Sequence, residues 1–215
     1  MAGANDVTIE VFADAGCPFT HVGLKRLVGR RTELGRDDVR LKVRSWPLEI
    51  INGSPLEPGF VAAEVDEIRR QVAPDLFAGF DRAAFPATSL PAMSLSALGY
   101  QHSLEVGERV SLELRDRLFE RGEDIADPDV LARVARAHGL DPGAICASAV
   151  PTDHPLVLAD HELGVQRGVV GSPDFFIGEA SFFCPALDIS HGVGGELVIA
   201  ASPEGFDSFL AACFG

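Results

Sequence analysis

The hydrophobic period of the chain changes within its first 28 residues, and the change falls on a cysteine. Val7 to Phe12 reads VTIEVF, β-rich and alternating, whereas Phe19, Val22, Leu24, Leu27 and Val28 carry the spacing of a helix face. Cys17 therefore lies at a strand-to-helix corner. There it can occupy the N-cap with Pro18 at the first helical position, where the missing N–H of proline costs nothing and its fixed φ suits the turn. A sulfur so placed faces unpaired backbone N–H groups and the positive end of the helix dipole, both of which favour thiolate over thiol. The corner suits a reactive cysteine; the competing reading is a buried structural one.

Beyond this helix, Val39 to Arg44 reads VRLKVR and alternates as a strand does. Strand, helix, strand at this length is a βαβ unit, which predicts parallel strands with a right-handed crossover. Residues 49–59, with Asn52-Gly53-Ser54-Pro55 and Pro58-Gly59, read as a loop. A helical stretch follows. Val61, Val65, Ile68 and Val72 share one face, Arg82 to Ser89 breaks the pattern, and Pro91 can open a new helix. A further helix is expected from about Glu105 to Arg121, with Val110, Leu114, Leu118 and Phe119 inward. Asp127-Pro128, Asp141-Pro142 and His154-Pro155 each start another. The end of the chain returns to β structure: a hairpin of Asp174 to Ile177 and Ser181 to Cys184 about Gly178-Glu179-Ala180, a strand at Glu196 to Ala200, and a last helix after Ser202-Pro203.

The run Asp14-Ala15-Gly16-Cys17-Pro18-Phe19-Thr20-His21-Val22-Gly23 resembles the active-site segment of the DsbA-like thioredoxin-fold proteins. That superfamily also holds FrnE-type oxidoreductases, 2-hydroxychromene-2-carboxylate isomerases and kappa-class glutathione transferases. Gly168-Val169-Val170-Gly171-Ser172-Pro173-Asp174-Phe175-Phe176-Ile177 is similar to the loop in which this fold sets a cis-proline beside the catalytic cysteine. The resemblance implies an α/β fold, a thioredoxin-like mixed β-sheet domain of residues 1–59 and 151–215 with an all-α helical insertion at residues 60–150. It departs at Thr20, where a dithiol member carries cysteine. A mixed disulfide at Cys17 would then need another thiol to release it.

The function implied is thiol–disulfide exchange through Cys17 on a disulfide substrate. Release would come from a low-molecular-weight thiol such as glutathione or mycothiol, as cosubstrate and not a permanently bound cofactor, or from Cys184. The rival is a thiol-dependent isomerase or transferase acting on a small organic thiol adduct, in which Cys17 orients the cofactor's sulfur. A non-catalytic binding protein on the same fold is a third reading, because fold does not fix function. Pro18, Phe19, Ser172 and Pro173 are the expected substrate-binding residues, with the main chain of Ser172 offered to an extended substrate as an added strand. Trp46 either lines the same groove or fills the core. If position 177 faces about 181 in the hairpin, 174 faces about 184, which brings Cys184 to the active-site end. Thr20 can offer its hydroxyl to the thiolate, and His21 can add positive charge. Asp14 is expected to bond nearby backbone N–H groups.

At 215 residues and 47% hydrophobic the chain can bury a full core. Its net charge of −14 argues against a nucleic-acid or anionic-membrane partner, and a homodimer stays open. Cys17, Cys146, Cys184 and Cys213 form no metal-ligand spacing, so no metal is expected, and Cys146 and Cys213 read as core residues. Met1 to Asp6 lacks the basic and apolar regions of a signal peptide, which predicts a cytoplasmic location.

Overall fold

A computed structural model describes residues 7–143 and 154–215. The elements are β1 (Val7–Ala13), α1 (Pro18–Glu33), β2 (Val39–Ser45), α2 (Leu48–Ile51), α3 (Pro58–Gln71), a 3-10 turn (Arg82–Ala84), α4 (Leu90–His102), α5 (Leu104–Arg121) and α6 (Pro128–Ala137). After the second described stretch begins come α7 (Pro155–Arg167), β3 (Asp174–Ile177), β4 (Ala180–Phe183), β5 (Leu187–His191), β6 (Leu197–Ala201) and α8 (Pro203–Phe214). Cys146 and the boundary between residues 150 and 151 lie outside the described residues.

Four strands form one mixed sheet in the order β2-β1-β3-β4, with β1 parallel to β2 and antiparallel to β3. Alternation along β1 sends its side chains to opposite faces. Ile9, Val11 and Ala13 meet Leu24 and Leu27 of α1 and Phe209 of α8. Phe12, on the other face, packs with Trp46, Val169 and Phe176. The helical insertion forms a second core around Phe77, Leu95, Leu114 and Phe119. Here α4 and α5 approach closely, and a Cβ on Gly107 would lie 2.2 Å from the Tyr100 ring.

Two helices of the insertion, with α7 beyond it, also finish the sheet. β2 is an edge strand whose outer polar groups meet side chains where a further strand would otherwise bond. The Leu41 amide donates to Glu108 of α5 at 2.8 Å, the Val43 amide to the Tyr100 hydroxyl of α4 at 2.8 Å, and the Ser45 amide to Asp160 of α7 at 3.0 Å. The Tyr100 hydroxyl in turn donates to the Leu41 carbonyl at 3.2 Å.

One expectation is corrected: residues 49–51, expected within a loop, belong to the short helix α2, which follows Pro47. Two further features go beyond the sequence reading. Leu187–His191 is a strand that the sequence does not announce, and it pairs with β6 in a separate two-stranded sheet. Trp46 does not line a groove. It is 6% exposed, lies edge-on to Phe12 and tilted against His161, and a Cβ on Gly164 of α7 would stand 2.6 Å from its ring. The glycine lets α7 close over the indole, which makes Trp46 a core residue.

Candidate active site

Cys17 is the N-cap of α1, with extended backbone (φ −83°, ψ 117°) and Pro18 beginning the helix. Its Sγ–H donates to the Ser172 carbonyl at 3.3 Å, and the Ser172–Pro173 peptide bond is cis. Thr20, fully buried one turn into α1, places its hydroxyl 2.9 Å from that of Ser172. The Ser172 hydroxyl also accepts the amide of Asp14 at 3.0 Å. An amide can only donate, so the Ser172 and Thr20 protons are both free, one to join the two hydroxyls and the other to point to the sulfur. Cys17, Thr20 and Ser172 thus form one hydrogen-bonded group, with cis-Pro173 directly after it. Pro18 is buried beside them, and Phe19 is half-buried against the insertion core.

Asp14 ties the corner to its surroundings. Its carboxylate accepts the amides of Gly16 and Leu48, both at 2.8 Å, and the Ser89 hydroxyl at 3.1 Å. Burial pushes this carboxyl above its ordinary range, and those donors together with the nearby Arg115 charge work against the rise.

Electrostatics at Cys17 differ from the sequence expectation. The residue is 3% exposed, and burial pushes the thiol up from its ordinary value. Hydrogen bonds from Ser172 and Thr20 favour the charged form, while the Glu64 carboxylate of α3 opposes it. The helix N-terminus therefore acts on a sulfur that burial has made harder to ionise. His21 is hindered from adding the expected positive charge. Burial lowers its pKa, and Nε2 turns away to Glu120 at 2.7 Å. Burial alone would raise Glu120, yet its bonds to His21 and to the amides of Phe77 and Ala78 hold it at about 2.

Cys184 lies one residue past β4, because Ile177 pairs with Ala180 and Asp174 with Phe183, one residue tighter than the expected register. Its amide donates to the Pro173 carbonyl at 3.0 Å, and its φ of 44° is in the left-handed region. Burial, with smaller contributions from the Cys17 and Asp188 charges, pushes its thiol to about 12. Cys213 is core, as expected.

Two groups near the sulfur were not anticipated: Glu64 and Arg115. Arg115 follows the inward-facing Leu114 and is itself buried, and a charged residue within an apolar helix face is the one signal the sequence carried for it. Glu64 sits beside Val65 on an ordinary amphipathic helix, where nothing distinguishes it from a surface carboxylate.

Among the described residues no cluster of His, Cys, Asp or Glu could hold a metal ion, and no helix is long and apolar enough to cross a membrane. Comparison with curated proteins finds no sequence relative. Among solved structures the fold is similar to that of the cytosolic disulfide reductase DsbM from Pseudomonas aeruginosa with GSH. That match has 15% identity over 95% of this chain and 98% of that one, with a TM-score of 0.62. It is also similar to a 2-hydroxychromene-2-carboxylate isomerase, at 13% identity over 82% of this chain and 88% of that one, with a TM-score of 0.60. A family model described as DSBA-like thioredoxin domain matches residues 8–191, from the first strand through β5, and the chain belongs to that family.

Proposed function

We propose that the protein is a thiol–disulfide oxidoreductase acting through Cys17, with a low-molecular-weight thiol of the glutathione type as cosubstrate. The observation that carries this reading is the Cys17 Sγ–H donated to the Ser172 carbonyl, immediately before cis-Pro173. Ionisation removes that S–H donor. The sulfur becomes a nucleophile, and the Ser172 carbonyl becomes free to accept a main-chain N–H from an extended substrate.

The Cys17 thiolate attacks one sulfur of a substrate disulfide, forming a mixed disulfide as the other sulfur leaves as a thiolate and takes up a proton. A first cosubstrate thiol displaces the remaining substrate thiol and joins Cys17. A second then restores the Cys17 thiolate and departs as the oxidised disulfide. Two cosubstrate thiols are oxidised for each substrate disulfide reduced. Release by an external thiol is preferred over Cys184 because burial holds Cys184 at about 12, far from the thiolate form at neutral pH. A thiol reductant of this kind suits a reducing, cytoplasmic compartment.

The test is reduction of a glutathione-mixed-disulfide peptide in the presence of glutathione, comparing wild type with Cys17→Ser. The variant is expected to fall to the uncatalysed rate while wild type accumulates a Cys17 adduct detectable by peptide mass spectrometry. Equal rates in the two proteins would refute the reading.

The Thr20 hydroxyl at the place of the family's second cysteine favours a second reading, a thiol-dependent isomerase or transferase in which Cys17 orients the sulfur of a bound thiol. It predicts glutathione-dependent conversion of a small organic substrate with no disulfide exchange.

A further inference from the structure

Among the described residues, Arg115 is the one lysine or arginine that is fully buried, at 3% exposed. Its guanidinium meets no carboxylate directly. Nη1 donates to the Ser111 carbonyl at 3.0 Å and the Ser111 hydroxyl at 2.7 Å, one turn back on α5, and Nη2 donates to the main-chain carbonyl of Asp14 at 3.2 Å. Nε has no partner. The Asp14 carboxylate is itself committed to Gly16, Leu48 and Ser89.

A buried charge is costly unless something answers it. Paired in a fork with a carboxylate, this guanidinium would be largely neutralised; held by neutral oxygens, it keeps a positive field for charge that arises nearby. The sulfur is where charge arises. The Asp14 carbonyl that receives Nη2 also receives the amide of Cys17, at 3.4 Å, so one oxygen joins the guanidinium to the N-cap. The charges of Arg115 and the Cys17 thiolate attract each other.

A second observation concerns the other side of the guanidinium. The Ser96 hydroxyl, like Nε of Arg115, is buried without a partner. Both residues line a small cavity of about 10 Å³ beside Ala15, Ser45 and Met93. That is close to the room one water molecule needs, and the two orphan atoms are the polar partners it requires.

We propose that Arg115 is a positioning residue for Cys17: it fixes the corner through the Asp14 carbonyl and supplies the buried positive charge that the Cys17 thiolate faces, while one water in the adjoining cavity completes its Nε. This rests on the reading that Cys17 reacts as a thiolate. Other charges frame both groups. Glu64 of α3 opposes ionisation of Cys17, and the Cys184 thiol lies near it from the turn after β4. Asp14 and Tyr100 face Arg115, and Arg44, across the cavity, is occupied by Glu10 and Asp160.

The experiment is the pH dependence of Cys17 alkylation, followed by peptide mass spectrometry in wild type, Arg115→Lys, Arg115→Gln and Ser111→Ala, with circular dichroism as the check on folding. Arg115→Gln removes the charge and leaves a shorter side chain whose amide reaches about as far as Nε. Its midpoint is expected to rise by about one pH unit, slowing alkylation below the midpoint about tenfold. Arg115→Lys keeps the charge and is expected to stay near wild type. A folded Arg115→Gln with the wild-type midpoint overturns the proposal, as does Arg115→Lys shifting equally. If Arg115→Gln does not fold, Ser111→Ala removes only one anchor of the guanidinium; a smaller upward shift supports the proposal and an unchanged midpoint overturns it. Disulfide exchange is scored separately. A shifted midpoint in a protein that reduces no disulfide would leave the role of Arg115 standing and refute the oxidoreductase reading.

Discussion

Glu64 shows how a single side chain can tie pH to reactivity in this site. Burial alone raises its carboxyl to about 7. A carboxyl whose folded pKa lies above its unfolded value of 4.5 holds a proton in the folded state that the unfolded chain gives up. Its contribution to stability therefore declines as pH rises from about 4.5 to about 7. Above that window it is ionised and opposes the Cys17 thiolate. Glu64→Gln is expected to flatten the stability decline and to speed Cys17 alkylation above pH 7, with little effect below about pH 6. Urea unfolding at pH 5 and pH 8, with alkylation rates over the same range, checks both. Wild type and variant changing in parallel would remove Glu64 from the account. That Cys17, Thr20 and the Ser172-Pro173 pair come together was legible in the sequence, because the family resemblance marks the one corner and the one loop that meet. Glu64 and Arg115 were not, because their nearness to the sulfur depends on how the insertion docks against that corner.

The elements divide along the same line. β1, α1 and β2 follow from periodicity: β2 alternates buried and half-buried residues along its whole length, and β1 alternates until Phe12, which is buried on the opposite face. β5 escaped because it buries only Leu187 and exposes Asp188 to His191, so no apolar alternation marks it. The hairpin register was one residue loose because turn length, rather than composition, sets it. Trp46 was open between groove and core because only the passage of Gly164 over its ring decides the matter. The capping of β2 makes a prediction at this scale. Tyr100→Phe leaves the Val43 amide without its acceptor and the Leu41 carbonyl without the hydroxyl. A loss of about 1–3 kcal/mol is expected in chemical denaturation. A loss within error would show that water replaces the hydroxyl at no cost.

Across the whole molecule, the two edges of the sheet are finished differently. At one edge, Glu108, Tyr100 and Asp160 from three helices bond the strand that follows α1. At the other, β4 ends at the left-handed Cys184, and the chain leaves to form the β5–β6 ribbon without extending the sheet. The insertion is thereby joined to the sheet by its backbone bonds as well as by apolar packing. This difference should appear in the exchange of amide hydrogens with deuterated solvent. The amides of Leu41, Val43 and Ser45, though they belong to an edge strand, should retain their hydrogens on the slow timescale of an interior strand, while the outward amides of β4 exchange early. Tyr100→Phe should release the Val43 hydrogen selectively. Equally rapid loss along both edges would mean that the side-chain caps open far more often than the sheet, so that the helices and the sheet breathe as separate units.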